Sequence, residues 1–484
     1  MIIAVDIGTS LTKAAVFDSE GHIHAEASEC SRLVQYPDGC VEQDFDNVVD
    51  TVATVVRQVR AGTDRPIEAL ALTGQGDGLW LRDADARPVR PPISWLDGRA
   101  APVVNRWRSD GTVREVHDRT GNGLFPGAQA PLLASLSETE PDSLRRAAVA
   151  GYCVDSLIHV LTGEITVDAS DASVPFLDVN TRGYHEDAIR ACGLGEHRRL
   201  LAKPAEPRQT FPLNGRGAEL LGLPTGLPVT GGPFDLPACA VGGGLTEPGD
   251  GLLIVGTTLA CQVMTSASVT NDHPEPSGMW LATPDENRHL RAMAAMVGTA
   301  SLDWVLELVG ASIPELESLL RESPPGANGV SGLPFLAPGG ERAPFADPRA
   351  HGQLTGVRLG TKRSDVVRAV CESIAYAARH CFEAAGLSGR LVACGGGTRS
   401  GPWSQVFADV LGRSLFISDD PGMGVRGAAM TAAQALGGTV DPAQWAGSTH
   451  EVAPNPDYRD HYERGYERYH ETLDAARSLW QRQD

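Results

Sequence analysis

Long apolar runs are absent from this sequence. No stretch of its 484 residues approaches the roughly 20 consecutive apolar residues that a membrane-spanning helix needs. The amino terminus carries neither a basic flank nor a cleavage site, so a cytoplasmic location and no membrane partner are expected. Cysteine pairing is missing as well. The nine cysteines are scattered, odd in number and without a C-x-x-C pair, so neither a disulfide framework nor a zinc site is indicated, and most read as small buried side chains. Positive charge is scarce: 41 Lys and Arg face 61 Asp and Glu, and the net charge of −20 argues against nucleic acid or an anionic membrane surface as partner. Lysine is scarcest of all, with only Lys13, Lys203 and Lys362, every other basic residue being arginine.

What is present is an ordinary globular composition, 42% hydrophobic and 21% charged. The chain is too long for one core and fits two domains. Its opening segment, residues 2–18, holds two short apolar runs, 2–5 and 14–17, and reads as a tight strand hairpin. In the turn, Gly8, Thr9 and Ser10 are small enough for backbone N–H groups and hydroxyls to converge on an anion, and Lys13 adds a compact cation. Asp6 cannot touch that anion without a divalent metal between them. The combination suits a Mg-bound polyphosphate, although Gly-Thr-Ser also makes ordinary hairpin turns and an Asp at a strand end is often only a turn residue. Because the net charge repels such an anion at long range, a site here must win locally.

A valine-lined helix over 47–59 follows, then a strand over 67–72 that ends in TGQGDG. Side chains at the carboxyl end of a central strand point into the crevice where α/β proteins bind ligands, so Gln75 and Asp77 are either contacts for a hydroxyl-rich ligand or part of a solvent-facing polar loop. Asp97 and Arg99, beside Trp95, are either a structural ion pair or part of the same crevice. DASDAS at 168–173 reads as a turn or cap-rich loop, and 182–223 as peripheral. At 227–244 a strand runs out through two glycines, and Pro237 starts a helix, leaving Asp235 at the helix mouth. There it is either an N-terminal cap or a general base for a substrate hydroxyl, ionised at neutral pH under either reading. The opening pattern then recurs: Gly256-Thr257-Thr258 aligns with Gly8-Thr9-Ser10, while Ile254 and Cys261 stand where Asp6 and Lys13 would be. That puts a domain boundary near 242–249. Further on, Ser364 can cap a buried helix that runs to about residue 385. Residues 391–412 read as strand, triple-glycine turn and helix, a geometry that lets a flat ring or phosphate approach the backbone. Residues 457–481 read as a surface helix.

DIGTSLTK from Asp6, TGQGDG from Thr73, WLDGRA from Trp95, LTGE with DASDAS, GGPFD ending at Asp235 and VGTT from Val255 come in one order. GGERAPFADPRAHG, GQLTGVRLGTKRSDVVRAVCE and CGGGTRSGPWSQVFADVLG follow them. In these segments the sequence resembles the FGGY carbohydrate kinases, of the actin, hexokinase and Hsp70 superfamily, over nearly the whole chain. The resemblance implies an α/β fold of two RNase H-like domains with an interdomain cleft, 1–243 binding sugar and 244–484 binding nucleotide. It implies ATP and Mg²⁺ as cofactors, a small polyol or ketose as substrate, and a homodimer as an allowed assembly. Asp6 would organise Mg²⁺, and Thr9, Ser10 and Lys13 would hold the transferring phosphoryl group. Gly256, Thr257 and Thr258 would form the second phosphate turn, and Gly395, Gly396, Gly397 and Arg399 would border the adenosine. Asp235 resembles the general base, and Gln75, Asp77 and Asp97 resemble sugar contacts. Pro233 and Phe234 depart from the usual glycine-rich run before the base. A Lys and a Trp common in the family are missing from 130–138, and Cys371 stands where a bulkier residue is common. TGQGDG and QAPLLASL are nearer the erythritol and L-xylulose kinase branches. Rivals are a catalytically weak sugar- or nucleotide-responsive regulator of the same fold and an ATPase switch that ignores sugars.

Overall fold

The computed structural model describes residues 1–266, 275–420 and 422–482. The first half contributes β1 (Ile2–Ile7), β2 (Leu11–Phe17), β3 (Ile23–Cys30), β4 (Ala69–Gly74), β5 (Phe211–Pro212) and β6 (Pro228–Gly231), laid side by side as β5-β6-β4-β1-β2-β3. The second contributes β7 (Gly251–Val255), β8 (Leu259–Thr265), β9 (Met279–Ala282), β10 (His289–Ala295), β11 (Leu391–Cys394), β12 (Leu415–Ser418) and β13 (Thr449–Val452), in the order β9-β10-β8-β7-β11-β12-β13. In each sheet the central strand, β1 or β7, is continued on one side by successive antiparallel pairings and on the other by two parallel pairings and an antiparallel edge strand. The chain is therefore two copies of one RNase H-like unit, as the repeated Gly-Thr turn led us to expect.

The helices that matter for the site are α1 (Phe45–Ala61), α2 (Cys153–Thr162), α3 (Asp235–Gly242), α4 (Arg363–Ala385), α5 (Gly401–Leu411), α6 (Met423–Ala435) and α7 (Arg459–Trp480). The period-2 alternation of β1 sends Ile3, Val5 and Ile7 to one face, where Val48, Val52, Val55, Val56 and Val59 of α1 and Leu157 and Ile158 of α2 cover them. Burying each valine contributes about 1.5–3 kcal/mol, enough to fix which face of α1 turns inward. Asp44 caps this helix, accepting from the Asn47 N–H at 3.1 Å.

On the opposite faces the two halves exchange helices. Ile2, Ala4, Ala15 and Phe17 of the first sheet are covered by Val425, Ala428, Ala429 and Ala432 of α6, a helix of the second half. Ala240 of α3, the last helix of the first half, packs against Leu252, Met264 and Leu281 of the second sheet. The two helices cross where neither has a side chain: a Cβ on Gly242 would overlap the Met423 carbonyl, and one on Gly427 would overlap the Ala238 carbonyl.

The repeat is not residue-for-residue. Asp6 pairs with Lys13, but Ile254 pairs with Ala260, because the second hairpin turn is one residue shorter. A one-residue shift flips side chains to the other face. Cys261, aligned with Lys13 by sequence, consequently lies in the core on the far side of the second sheet and is fully buried.

One local expectation is corrected. Lys362, not Ser364, is the N-cap of α4, its N–H bonded to Asp365 Oδ2 at 3.0 Å. α7 is a surface helix, as expected, and its inner face buries Tyr462, Tyr466, Tyr469, Leu473 and Trp480 in the second core. Residues 168–173 form a helical turn (Ala169–Ala172) with Asp168 as its cap, in line with the cap-rich turn expected there, and the turn is buried. Part of the 182–223 stretch, β5, is an edge strand of the first sheet. Among the described residues no helix is long and apolar enough to cross a membrane.

The crossing generates a prediction. Gly427→Val must push α6 off α3 and should destabilise the protein by about 1–3 kcal/mol, read as a lower thermal midpoint. A Gly427→Val protein with an unchanged midpoint would contradict this packing.

Candidate active site

Asp6 sits one residue from the end of β1, opposite Lys13 on the neighbouring strand. The turn between them is drawn tight by the Gly8 N–H bond to the Leu11 carbonyl at 3.2 Å, and a Cβ on Gly8 would stand 2.8 Å from that same oxygen. Ser10 is exposed and Lys13 half-buried, so both face outward from the turn. From the other half, α6 runs up to the Asp6 carboxylate: a Cβ on Gly424 would lie 2.8 Å from Asp6 Oδ2. Burial pushes the Asp6 carboxyl up to about 6, against the pull of Lys13.

Asp235 is the first residue of α3, with Phe234 as the cap residue and no side-chain capping bond. Its approach is locked on both sides, by the Thr73 hydroxyl donating to the Pro233 carbonyl at 2.6 Å and the Phe234 N–H donating to Ser170 Oγ at 3.1 Å. The Phe234 ring fills the space that a side chain at Gly76 would take, so this departure from a glycine-rich run makes a rigid wall. Burial, followed by the charge of Asp6, raises the Asp235 carboxyl from the ordinary 3.8 to about 8, with Asp77 adding to the rise. The expectation of an ionised Asp235 at neutral pH is therefore corrected. The weak favour of a helix N-terminus loses to desolvation and two like charges.

Asp77 lies on the same floor, half-buried, with φ of 56° and one carboxylate oxygen buried without a partner. Burial raises it to about 7, while Arg342 pulls it down. Asp235 thus stands near enough to both Asp6 and Asp77 to feel their charge.

Other expected contacts have different duties. Thr9 turns its hydroxyl away from the turn mouth, donating to Gln75 Oε1 at 3.2 Å and accepting from Trp95 Nε1 at 2.9 Å. Gln75 is buried and its amide also donates to Gln43 Oε1 at 2.9 Å. Asp97, expected to touch the sugar, is buried and spends its oxygens on the Val41 N–H at 2.6 Å and on the Arg99 N–H and guanidinium at 2.8 and 2.9 Å. Of the two readings left open for Asp97 and Arg99, the structure supports the ion pair.

In the second half the turn at Gly256, Thr257 and Thr258 is held by the Gly256 N–H bond to the Thr258 carbonyl at 3.2 Å, with Thr257 exposed. The triple glycine lies against it. Gly395, at φ 101°, leaves no room for a Cβ beside the Val255 backbone, and Gly397 packs on the Val255 side chain, while Gly396 and Arg399 are exposed. Lys13 reaches toward this side too, its charge opposing the burial that pushes the Cys394 thiol up to about 12.

Two residues escaped the sequence reading. Arg342, in the Pro- and Gly-rich loop over 335–352, reaches out of the second half and lies over the rings of Phe125 (4.7 Å) and Trp95 (5.5 Å) in the first. A loop without periodicity does not announce where its arginine points. Asp171 is buried with neither oxygen hydrogen-bonded among the described residues, and its carboxyl is driven far up by burial and by its acidic neighbours. Only the burial of 168–173 could have revealed it.

Two copies of one sheet, an exchanged helix pair and two small-residue turns opening on a shared acidic floor define a phosphotransferase of the actin, hexokinase and Hsp70 superfamily. The profile of the FGGY family of carbohydrate kinases, N-terminal domain, matches residues 1–242, and that of its C-terminal domain matches residues 251–436. The chain belongs to the FGGY family of carbohydrate kinases and is a sugar kinase. It is 30% identical to the erythritol kinase of Brucella abortus (strain 2308), over 99% of this chain and 97% of that protein. It is 29% identical to the xylulose kinase of Escherichia coli (strain K12), over 94% and 91% respectively. Among solved structures, a ligand-bound xylulose kinase from Lactobacillus acidophilus superposes with a TM-score of 0.93 at 22% identity, covering 100% of this chain and 99% of the other.

The shared acidic floor has a consequence for stability. The folded chain holds the Asp235 proton between about pH 4 and 8, where an unfolded aspartate has lost it, so stability falls as pH rises through that window. Asp235→Asn should therefore raise the thermal midpoint relative to wild type more at pH 8 than at pH 5. An equal gain at both pH values would contradict the raised pKa.

Proposed function

We propose that the protein transfers the terminal phosphoryl group of ATP to a hydroxyl of a small polyol or ketose in the cytoplasm, with 1–243 and 244–484 acting as the two lobes. The observation that carries this reading is the convergence of Asp235, Asp6 and Asp77 on one cleft floor between two Gly-Thr turns. The names of the relatives, erythritol kinase and xylulose kinase, support a four- or five-carbon acceptor.

The residues fit Mg²⁺ and ATP. Mg²⁺ keeps several waters and is held by one or two carboxylates together with phosphate oxygens, and Asp6, with the space beside Gly424, offers one such carboxylate. When bound, the ion would neutralise charge on the phosphoryl oxygens. Ser10, Lys13 and the Thr9 backbone would hold the terminal phosphate, Gly256, Thr257 and Thr258 the preceding ones, and Gly395, Gly396, Gly397 and Arg399 the adenosine. These local donors must overcome a net charge of −20.

Asp235 acts as the general base. A carboxyl whose pKa lies near the working pH accepts a hydroxyl proton more readily than an ordinary aspartate, provided it is ionised when substrate arrives. In a loose phosphoryl-transfer transition state the proton leaves late, so a positioned carboxylate suffices. Lobe closure would exclude water and direct transfer to the sugar.

ADP release measured against tetritols, pentitols and ketopentoses tests the reading; ADP formation indifferent to every acceptor would favour an ATPase switch. Asp235→Ala should lower kcat by roughly 10²–10⁴ with nucleotide affinity little changed, and normal turnover would remove the base assignment. In wild type, kcat/KM should climb with pH until about 8 and then level. Asp6→Ala should weaken productive Mg-nucleotide binding, seen as an altered Mg²⁺ dependence.

A further inference from the structure

Two charged groups from different halves, Arg342 and Asp77, face each other without forming an ion pair. Arg342 is fixed at its base. Its Nε donates to the Ala294 carbonyl at 2.8 Å, and the Glu341 carboxylate pins the local backbone by accepting from the Met296 N–H at 2.7 Å and the Arg342 N–H at 2.8 Å. The planar guanidinium then lies over the Phe125 and Trp95 rings, a contact that orients it without using its N–H groups. Neither of its Nη atoms donates to a described protein group, although Arg342 is only half-buried. Trp95 is in turn keyed to the phosphate turn through Thr9.

Asp77 presents the complementary half. It stands between Gly76 and Gly78 in the left-handed region, at φ 56°, an uncommon backbone conformation for a residue other than glycine. One of its oxygens is buried without a partner. Arg342 and Asp77 feel each other's charge, yet no nitrogen of one comes within the 4.0 Å of an oxygen of the other that would make an ion pair. A pair serving only the fold would close that gap and satisfy both groups.

We infer that Arg342 and Asp77 form a two-sided clamp for one hydroxyl of a neutral polyol acceptor, and that Arg342 is thereby a specificity-determining residue supplied by the nucleotide-side half. This rests on the polyol kinase reading above. A hydroxyl is the group that fits, because it donates to the carboxylate and accepts from the guanidinium at once. An acid group in its place would be drawn to Arg342 but repelled by Asp77, and an amine would meet the reverse. The clamp also couples acceptor binding to the halves themselves, since one jaw belongs to each.

The test uses the full chain, with erythritol, D-xylulose and gluconate as probe acceptors and ADP release as readout. Arg342→Gln should raise the KM for the favoured neutral acceptor roughly 10- to 100-fold, the loss expected for a charged hydrogen-bond donor, with the KM for ATP unchanged. Arg342→Lys should recover part of that loss. Asp77→Asn should shift selectivity toward gluconate, and Asp77→Asn with Arg342→Gln should abolish the shift. Thermal midpoints near wild type establish that each variant is folded, and thermal shift by erythritol reports acceptor binding without turnover. An active wild type whose Arg342→Gln variant keeps its acceptor KM and selectivity, or an Asp77→Asn variant with no movement toward gluconate, would overturn the clamp while leaving the kinase reading intact. A wild type that neither binds nor turns over any neutral acceptor would remove both.

Discussion

The crossing of α3 and α6 is the contact on which the site depends. Each helix belongs to one half of the chain and covers the sheet of the other. Where they meet, Gly242 and Gly427 remove the side chains that would hold them apart. Close backbone approach lets α3 start at the cleft floor with Asp235 in its first turn, while α6 brings Gly424 against Asp6. The two carboxylates invoked for chemistry are thus placed by the same joint. A joint made of backbone packing leaves no side chain between the two helices, so the halves are held at close range.

That placement is expensive electrostatically. Asp6, Asp77 and Asp235 are crowded into one partly desolvated space, and each is pushed up to about 6, 7 and 8 respectively. The compensating charges come from the rims: Lys13 from the first hairpin and Arg342 from the second half. A fold selected for stability alone would not assemble this floor. Strongly shifted carboxyl groups gathered in this way are the mark of a functional site rather than of a core built for stability.

The repeated hairpin, the valine helix, the buried α4 and the glycine turn near Gly395 were all legible in the sequence, because each rests on local periodicity or on small residues at a strand end. Asp6, Lys13, Asp77 and Asp235 were legible as site candidates for the same reason. What was not legible depended on packing between distant segments. Nothing local tells that Asp97 gives its oxygens to Arg99 and Val41, or that Arg342 crosses between halves. Nor does it tell that α7, polar on most of its length, buries a ladder of tyrosines. The charge state of Asp235 failed for a related reason: a helix terminus is visible in sequence, but its acidic neighbours are not.

The shorter second turn deserves a final thought. With one residue fewer, the copy at Gly256 carries Ile254 and Ala260 on the surface that corresponds to Asp6 and Lys13, and it hides Cys261 behind the sheet. The duplicated scaffold is therefore symmetric in shape but polarised in charge. A chain of phosphates lying between the twin hairpins would meet a charged pair at one end only, which gives the cleft a head and a tail and leaves a single direction in which a donor can lie.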